Sequence, residues 1–199
     1  MAAKMKRYAK HTGPPEQFDY MGAMQFCNLF LLGMRHFHNL LDFGCGNLRL
    51  GRLAIQYLDK NNYCGIEPVK ELVTEAIKNA HLNELCKAKN PRFHFSEDCD
   101  MAIFGAEFDF IIAQSVFTHM SINQIDRSLR AASKVMHRKS LFLANYSPAK
   151  DDYRGGTWTQ KITKYKPETI NKFVTKNKLV ATEVHLIHTH LQDWLLIRR

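Results

Sequence analysis

The sequence predicts an α/β fold, with a doubly wound, mostly parallel sheet of seven strands and an antiparallel strand at its C-terminal end. Short apolar segments alternate with segments of helical periodicity between about residues 40 and 144. Two apolar segments at 180–187 and 194–198 follow, and their connection is too short for a parallel crossover. The length of 199 residues predicts one domain over 1–199.

The first elements lead into a glycine-rich turn. Residues 1–15 are expected to form a flexible arm, since Gly13-Pro14-Pro15 breaks regular structure. Apolar residues at helical spacing predict one or two helices in 17–34. The apolar segment 40–43 is a strand that enters Gly44-Cys45-Gly46, and 48–58 follows as a helix.

The alternation then continues to the C terminus. The nearly continuous apolar segment 108–113 is typical of a buried parallel strand, and Ser121 is a candidate N-cap for the next helix. The polar segment 147–165 is expected to be a long loop, which is often functional. The remaining strands are predicted at 63–66, 93–95 and 141–144, with a turn at 137–139 before the last, and the remaining helices at 69–80, 122–136 and 166–176.

Composition and charge narrow the classes of function. No apolar segment is long enough to span a membrane, and we read no signal peptide. The five cysteines are scattered without a C-x-x-C pair, which argues against a disulfide framework and a zinc site and favours reduced thiols in a cytoplasmic protein. The net charge of +9 favours an anionic partner such as nucleic acid, although the basic residues are spread thinly.

The turn after the first strand points to a nucleotide-like cofactor. Gly44 and Gly46 permit a tight turn, and Glu67, which follows the second strand, can accept hydrogen bonds from ribose hydroxyls. A dinucleotide and an adenosyl sulfonium both fit such an acid. Arg49 stands where a dinucleotide fingerprint needs a small residue, and Asp42 suits a cationic amino group better than a pyrophosphate.

These motifs resemble those of class I S-adenosylmethionine-dependent methyltransferases, which have a Rossmann-like fold. Leu41-Asp42-Phe43-Gly44-Cys45-Gly46 is similar to their first motif, and Gly65-Ile66-Glu67 is similar to their acidic second motif. Phe93-His94-Phe95 with Glu97-Asp98 resembles the third. The segment from Phe108 to His119 resembles the fourth strand and its substrate-facing end.

The resemblance implies a role for each matching residue and S-adenosylmethionine as the cofactor. Asp42, Gly44, Cys45 and Gly46 would hold the methionine moiety and Glu67 the ribose. The predicted cofactor contacts in the second half of the chain are Asp98 and Cys99 at the adenine and Gln114 at the sulfonium end.

The acceptor end of the site is less well defined by the sequence. His119 is a candidate general base, with helix capping or packing as the alternative interpretation. Tyr153 and Trp158 are candidate walls of an acceptor pocket, or surface anchors of the long loop, and Tyr20 is a candidate lid and substrate-binding residue on the helix before the first strand. No metal is assigned, because two histidines at 188 and 190 do not make a ligand set.

We therefore expect an enzyme that methylates an oxygen or nitrogen of a small molecule. The alternatives are an RNA or other nucleic-acid methyltransferase, favoured by charge alone, and a cofactor-binding homologue without catalysis. An amino methyltransferase acting on nucleic acid should carry an N/D-P-P-Y-like motif where this chain has Gln114-Ser115-Val116-Phe117.

Overall fold

The computed structural model describes residues 14–78, 80–186, 188 and 192–199. By its contacts the chain divides into two compact units, 1–97 and 98–199. A single domain over 1–199 therefore stays a prediction. Most of the expected flexible arm, residues 1–13, lies outside the described residues.

Helices and strands alternate along most of the chain. The helices are α1 (Phe18–Leu31), α2 (Gly51–Tyr57), α3 (Lys70–Ile77), α4 (Ala80–Lys89), α5 (Ile122–Val135) and α6 (Pro167–Lys176). The strands are β1 (Leu40–Phe43), β2 (Tyr63–Ile66), β3 (Arg92–His94), β4 (Phe108–Ala113), β5 (Met136–Tyr146), β6 (Val180–Val184) and β7 (Asp193–Arg198). Short 3₁₀ turns lie at Pro15–Gln17, Met101–Phe104 and Phe117–His119.

The seven strands form one sheet in the order β3-β2-β1-β4-β5-β7-β6. β1, β2 and β3 pair in parallel, as do β4 and β5. β7 runs antiparallel to both of its neighbours, β5 and β6. This architecture confirms the predicted fold class, including the antiparallel strand at the C-terminal end.

In the first unit, the core is built on two short strands and the helix that precedes them. All residues of β1 and β2 are buried. α1 packs closely on the segment that follows β1 at Gly22. A Cβ added at Gly22 would lie only 2.6 Å from the Arg49 carbonyl oxygen. Phe26 and Tyr57 pack edge to face, with ring centroids 5.3 Å apart, which fixes α1 against α2.

In the second unit, the turn expected at residues 137–139 is absent. β5 begins at Met136, and an irregularity in its pairing with β4 accommodates the extra residues between Met136 and Leu141. The Ser140 hydroxyl donates to the Phe108 carbonyl oxygen at 2.7 Å, and His137 Nε2 lies 3.2 Å from Asp109 Oδ1. These side-chain contacts join β5 to β4 where the regular pairing is interrupted, so residues 137–140 remain in the sheet.

Other differences from the predicted elements are local. α2 begins three residues later than expected, because Leu48 has a left-handed φ of 59°. The helix α4 was not predicted, and β6 ends at Val184 rather than at residue 187. The predicted N-cap Ser121 is confirmed, since Ser121 and Gln124 form a reciprocal capping box.

The cysteines are all free thiols, as the sequence predicts. Cys45, Cys64 and Cys99 are buried, Cys86 is half-buried, and Cys27 on α1 is exposed. Burial raises the pKa of Cys64 to about 11. Among the described residues, every helix is too short or too polar to cross a bilayer.

Candidate cofactor and acceptor sites

The turn after β1 is tied to the end of β2 by backbone hydrogen bonds. The N–H groups of Gly44 and Cys45 both donate to the Ile66 carbonyl oxygen, at 2.8 and 3.1 Å. Gly44 and Gly46 have φ angles of 78° and 52°, which glycine adopts without the steric cost of a side chain. Gly44 is half-buried and Gly46 is buried, and the lack of side chains there lets a ligand approach the backbone closely.

Glu67 is fixed at the same edge of the first unit. Its Oε2 accepts from the Gly46 N–H at 2.9 Å, and its Oε1 accepts from the Val69 N–H at 3.0 Å. Burial raises the pKa of this carboxyl group, although the two backbone donors oppose the shift. Each oxygen keeps a lone pair after these bonds, so the pair of oxygens can accept from two neighbouring hydroxyls.

Asp42 is a buried acid at the start of the turn. The Tyr63 hydroxyl donates to its Oδ2 at 2.7 Å. Burial raises the pKa of Asp42 to about 7, while the Tyr63 hydrogen bond and the charge of Arg49 act in the opposite direction. Burial also lowers the pKa of Arg49 to about 10. An ammonium group beside Asp42 would stabilise its carboxylate form.

The predicted residue between the two glycines has a packing role. Cys45 is 5% exposed, and a Cβ at Gly65 would lie only 2.8 Å from its sulfur. Burial raises the pKa of the Cys45 thiol well above its usual range, so the side chain is a neutral packing group. Contact of Cys45 with the cofactor stays a prediction.

Asp98 and Cys99 begin the second unit. Asp98 is exposed, and its Oδ1 accepts from the Asp100 N–H at 2.9 Å. Cys99 is buried with a left-handed φ of 62°, and burial raises the pKa of its thiol. The pair forms a fixed bend at the end of the third motif.

Gln114 belongs to a buried polar cluster at the carboxyl ends of β4 and β5. Its Nε2 lies 3.2 Å from His188 Nε2. The Ser115 N–H donates to Asn145 Oδ1 at 2.6 Å, and Asn145 Nδ2 donates to Gln192 Oε1 at 2.8 Å. Gln114, Asn145, His188 and Gln192 are each at most 9% exposed. The long loop is not needed to assemble this cluster.

His119 lies under the long loop, next to Trp158. The two rings have centroids 5.4 Å apart and are tilted by 35°. His119 Nδ1 lies 3.1 Å from the Thr159 carbonyl oxygen. Since a carbonyl can only accept, Nδ1 carries the proton and Nε2 keeps the lone pair when the ring is neutral. The loop thus fixes the tautomer that a general base at Nε2 requires.

The loop is held on this segment by further bonds. The Thr163 N–H donates to the Thr118 carbonyl oxygen at 2.7 Å, and the Tyr165 hydroxyl donates to the Met120 carbonyl oxygen at 2.7 Å. Trp158 is 50% exposed, so one part of its ring is available for contact.

The other two candidate pocket residues are placed differently. Tyr153 packs edge to face on Tyr165, and its hydroxyl lies directly against Gly155. It therefore anchors the loop from within. Tyr20, in the first unit, is 53% exposed on α1. Contact of either tyrosine with an acceptor stays a prediction.

Several residues of these clusters are not apparent in the sequence. Tyr63 stands at the start of β2, and the parallel register Leu40↔Tyr63 explains how its hydroxyl reaches Asp42. The signal for Tyr63 in the sequence was a hydroxyl-bearing side chain within a strand predicted to be buried. Asn145, His188 and Gln192 come from separate segments, and only the position of Asn145 near the end of a strand could have marked one of them.

Comparison with known proteins agrees with this geometry. A family model described as "Methyltransferase domain" matches residues 41–142, which include the turn after β1, Glu67 and the end of β4. The match covers more than half of the chain. The chain belongs to this methyltransferase family.

Solved structures with low sequence identity share the fold. Magnesium protoporphyrin IX methyltransferase from Synechocystis, crystallised with SAH, is 15% identical with a TM-score of 0.68, over 100% of this chain and 94% of that one. An S-adenosylmethionine-dependent methyltransferase from Clostridium acetobutylicum is 11% identical with a TM-score of 0.64, over 99% and 96%.

A third structure, a sugar N-methyltransferase from Streptoalloteichus, is 12% identical with a TM-score of 0.66, over 98% of this chain and 92% of that one. No curated protein matches the chain. The methyltransferase family uses S-adenosylmethionine as its methyl donor. The predicted family, fold, enzyme class and cofactor are therefore confirmed.

Proposed function

We propose that this methyltransferase transfers a methyl group from S-adenosylmethionine to an oxygen or nitrogen of a small molecule. The observation that carries the cofactor part is the bond from the Gly46 N–H to Glu67 Oε2. It joins the glycine turn and the acid in one rigid unit, with both carboxylate oxygens still able to accept from ribose hydroxyls.

The donor set suits the remaining parts of the cofactor. Asp42 offers a carboxylate to the amino group of the methionine moiety, and the turn at Gly44 and Gly46 allows close approach to its backbone. In the second unit, the proposal assigns Asp98 and Cys99 to the adenine and Gln114 to the sulfonium end, on the family resemblance.

A small acceptor is favoured by the structures that share the fold over nearly their whole length. Two of them are a magnesium protoporphyrin IX methyltransferase and a sugar N-methyltransferase. Both matched chains are covered to more than 90%. A nucleic-acid acceptor has the net charge in its favour and no further observation.

The acceptor chemistry is assigned to His119. When bound, S-adenosylmethionine supplies an electrophilic methyl group whose C–S electron pair leaves with a neutral thioether. His119 Nε2 takes the proton from the acceptor hydroxyl or amine as the new O–C or N–C bond forms. The Thr159 carbonyl holds the ring in the tautomer that leaves Nε2 unprotonated, and Trp158 shields one side of the ring.

The cofactor assignment is tested by titrating the protein with SAH in a calorimeter. Glu67→Ala should weaken binding by roughly 1–3 kcal/mol, through lost charge-assisted hydrogen bonds. Glu71→Ala removes an exposed acid nearby in sequence and is the matched control. Absence of heat with SAH in the wild type contradicts cofactor binding, and equal affinities of Glu67→Ala and wild type remove Glu67 from the site.

The acceptor assignment is tested with radiolabelled S-adenosylmethionine and a panel of phenols, amino sugars, carboxylic acids and short RNAs. We expect transfer to a small molecule. His119→Ala should slow transfer to a hydroxyl by roughly 10²- to 10⁴-fold, with His185→Ala, an exposed histidine, as control. Transfer to RNA alone contradicts the acceptor class, and full turnover by His119→Ala contradicts the base.

A further inference from the structure

Gln114 has one more hydrogen-bonding atom than the described part of the chain satisfies. The side chain stands directly after β4 and is 8% exposed. Its Nε2 faces His188 Nε2 at 3.2 Å. Its Oε1 is buried and has no hydrogen-bond partner among the described residues.

Rotating the amide does not remove this feature. Oxygen and nitrogen would exchange places, one of them would face His188, and the other would still be buried without a partner. A buried polar atom left unsatisfied costs free energy, so such atoms are rare unless a ligand completes them. The orientation with Nε2 toward His188 leaves an acceptor, Oε1, for an incoming donor.

The neighbouring amides do not share this property. Asn145 uses its Oδ1 for the Ser115 N–H and its Nδ2 for Gln192. These bonds hold Ser115, whose φ is 55°, and thereby the backbone beside Gln114. The cluster is thus internally bonded, with one acceptor left over at Gln114.

The His188 ring is itself held by packing. It lies edge to face on Trp194, with the ring centroids 5.5 Å apart. Trp194 is 1% exposed and part of β7, so the ring has a rigid support. When His188 Nε2 is unprotonated it accepts from Gln114 Nε2, and this bond sets which amide atom of Gln114 remains for a ligand.

We propose that Gln114 Oε1 accepts a hydrogen bond from a hydroxyl or amine of the methyl acceptor and that His188 is the residue that positions it. The inference rests on the proposed small-molecule function and deepens it, since it selects acceptors with an O–H or N–H donor. A sulfonium or thioether has no hydrogen to donate, so Gln114 can line the sulfonium end of the cofactor without bonding to it, and its Oε1 is left for the acceptor.

Three variants and one control test the proposal. Gln114→Met keeps the length of the side chain and removes both polar atoms. Gln114→Glu keeps an acceptor at Oε1. His188→Phe keeps a ring against Trp194 and removes the partner of Gln114 Nε2. Gln56→Met is the control, because Gln56 is an exposed glutamine on α2.

The measurements are the melting temperature without ligand, the Kd for SAH by calorimetry, and KM and kcat for the panel compound that the wild type methylates fastest. For Gln114→Met we expect a melting temperature within about 4 °C of the wild type, because the unsatisfied Oε1 is gone while His188 Nε2 loses its partner. We expect an unchanged Kd for SAH and a KM about tenfold higher.

The other variants distinguish a role of Gln114 and His188 in acceptor binding from a role in the fold alone. Gln114→Glu should recover most of the wild-type KM, since it still accepts from the donor. His188→Phe should raise KM about as much as Gln114→Met, with the Kd for SAH unchanged. The control should match the wild type in every measurement.

Four results would overturn the inference. They are a melting temperature for Gln114→Met more than about 4 °C below that of the wild type, weaker SAH binding by that variant, an unchanged KM, or a KM for Gln114→Glu as high as that of Gln114→Met. If the wild type methylates none of the small molecules, the proposed function fails instead. The melting temperature and SAH affinity of Gln114→Met then still decide whether Gln114 serves the fold or the cofactor.

Discussion

At the level of single residues, Asp42 is subject to two opposing effects: burial favours its neutral form, and its neighbours Tyr63 and Arg49 favour its carboxylate form. Its carboxyl group is buried with Tyr63 as a donor, and burial raises its pKa to about 7. The ligand-free protein therefore carries this acid partly protonated at neutral pH. In the proposed site, the positively charged amino group of the cofactor stabilises the negatively charged form of Asp42.

Asp42→Asn should stabilise the ligand-free protein and weaken cofactor binding. The native pKa of about 7 lies above the ordinary value of 3.8. Stability is therefore lost as pH rises from about 4 to 7, where the buried group must ionise. At pH 8 we expect the variant to gain roughly 1–3 kcal/mol in urea unfolding. Asp59→Asn, at an exposed position, should change little.

The same residue predicts a pH dependence of binding. SAH affinity should fall by up to about tenfold per pH unit below pH 7, because the carboxylate must first lose its proton. Above pH 7 this contribution should be flat. Calorimetry across this range on wild type and Asp42→Asn measures it. A slope that persists in the variant would assign the proton to another group.

At the level of elements, α1 and the turn after β1 depend on a close contact. Gly22 brings the helix backbone against the Arg49 carbonyl, and a Cβ there would come within 2.6 Å. Arg52 adds an ion pair to Asp19 from the next helix. The position of α1 is therefore linked to the segment that follows the glycine turn.

Gly22→Ala should destabilise the protein by roughly 1–3 kcal/mol, although alanine favours the helix. The contact is with backbone, which cannot rotate away as a side chain can. SAH affinity should fall as well, since the turn moves with Arg49. Gly156→Ala, at a glycine with open space around it, is the control. A rise in stability of Gly22→Ala would show that the helix adjusts without strain.

Individual elements differ in how well the sequence predicts them. β1 with its glycine turn and β2 with its terminal acid are predicted correctly, because strand, turn and acid follow one another at short spacing. α4 was missed, since its surface is rich in polar residues and its apolar periodicity is short. The Gln114 cluster was missed because β4, β5 and the segment before β7 supply it jointly.

At the level of the whole molecule, the chain divides into two compact units, 1–97 and 98–199. The predicted single domain over 1–199 requires a single cooperative unfolding transition. The boundary between the units falls within the third motif, between Glu97 and Asp98. Thermal unfolding can distinguish one transition from two.

We expect circular dichroism and tryptophan fluorescence to report the same midpoint. Circular dichroism follows helices throughout the chain, whereas Trp158 and Trp194 both lie after residue 97. SAH at about 100 times its Kd should add about 2.7 kcal/mol to the free energy of unfolding. Separate midpoints for the two signals would contradict a single cooperative domain.

The distribution of the thiols gives an experimental handle on α1. Cys27 is the exposed cysteine, and burial raises the thiol pKa values of Cys45, Cys64, Cys86 and Cys99. Maleimide reagents react with accessible thiolates, so at neutral pH they should modify Cys27 first. A fluorophore could thus be attached to α1 without changing the sequence, and its emission would report whether that helix changes its environment when cofactor binds.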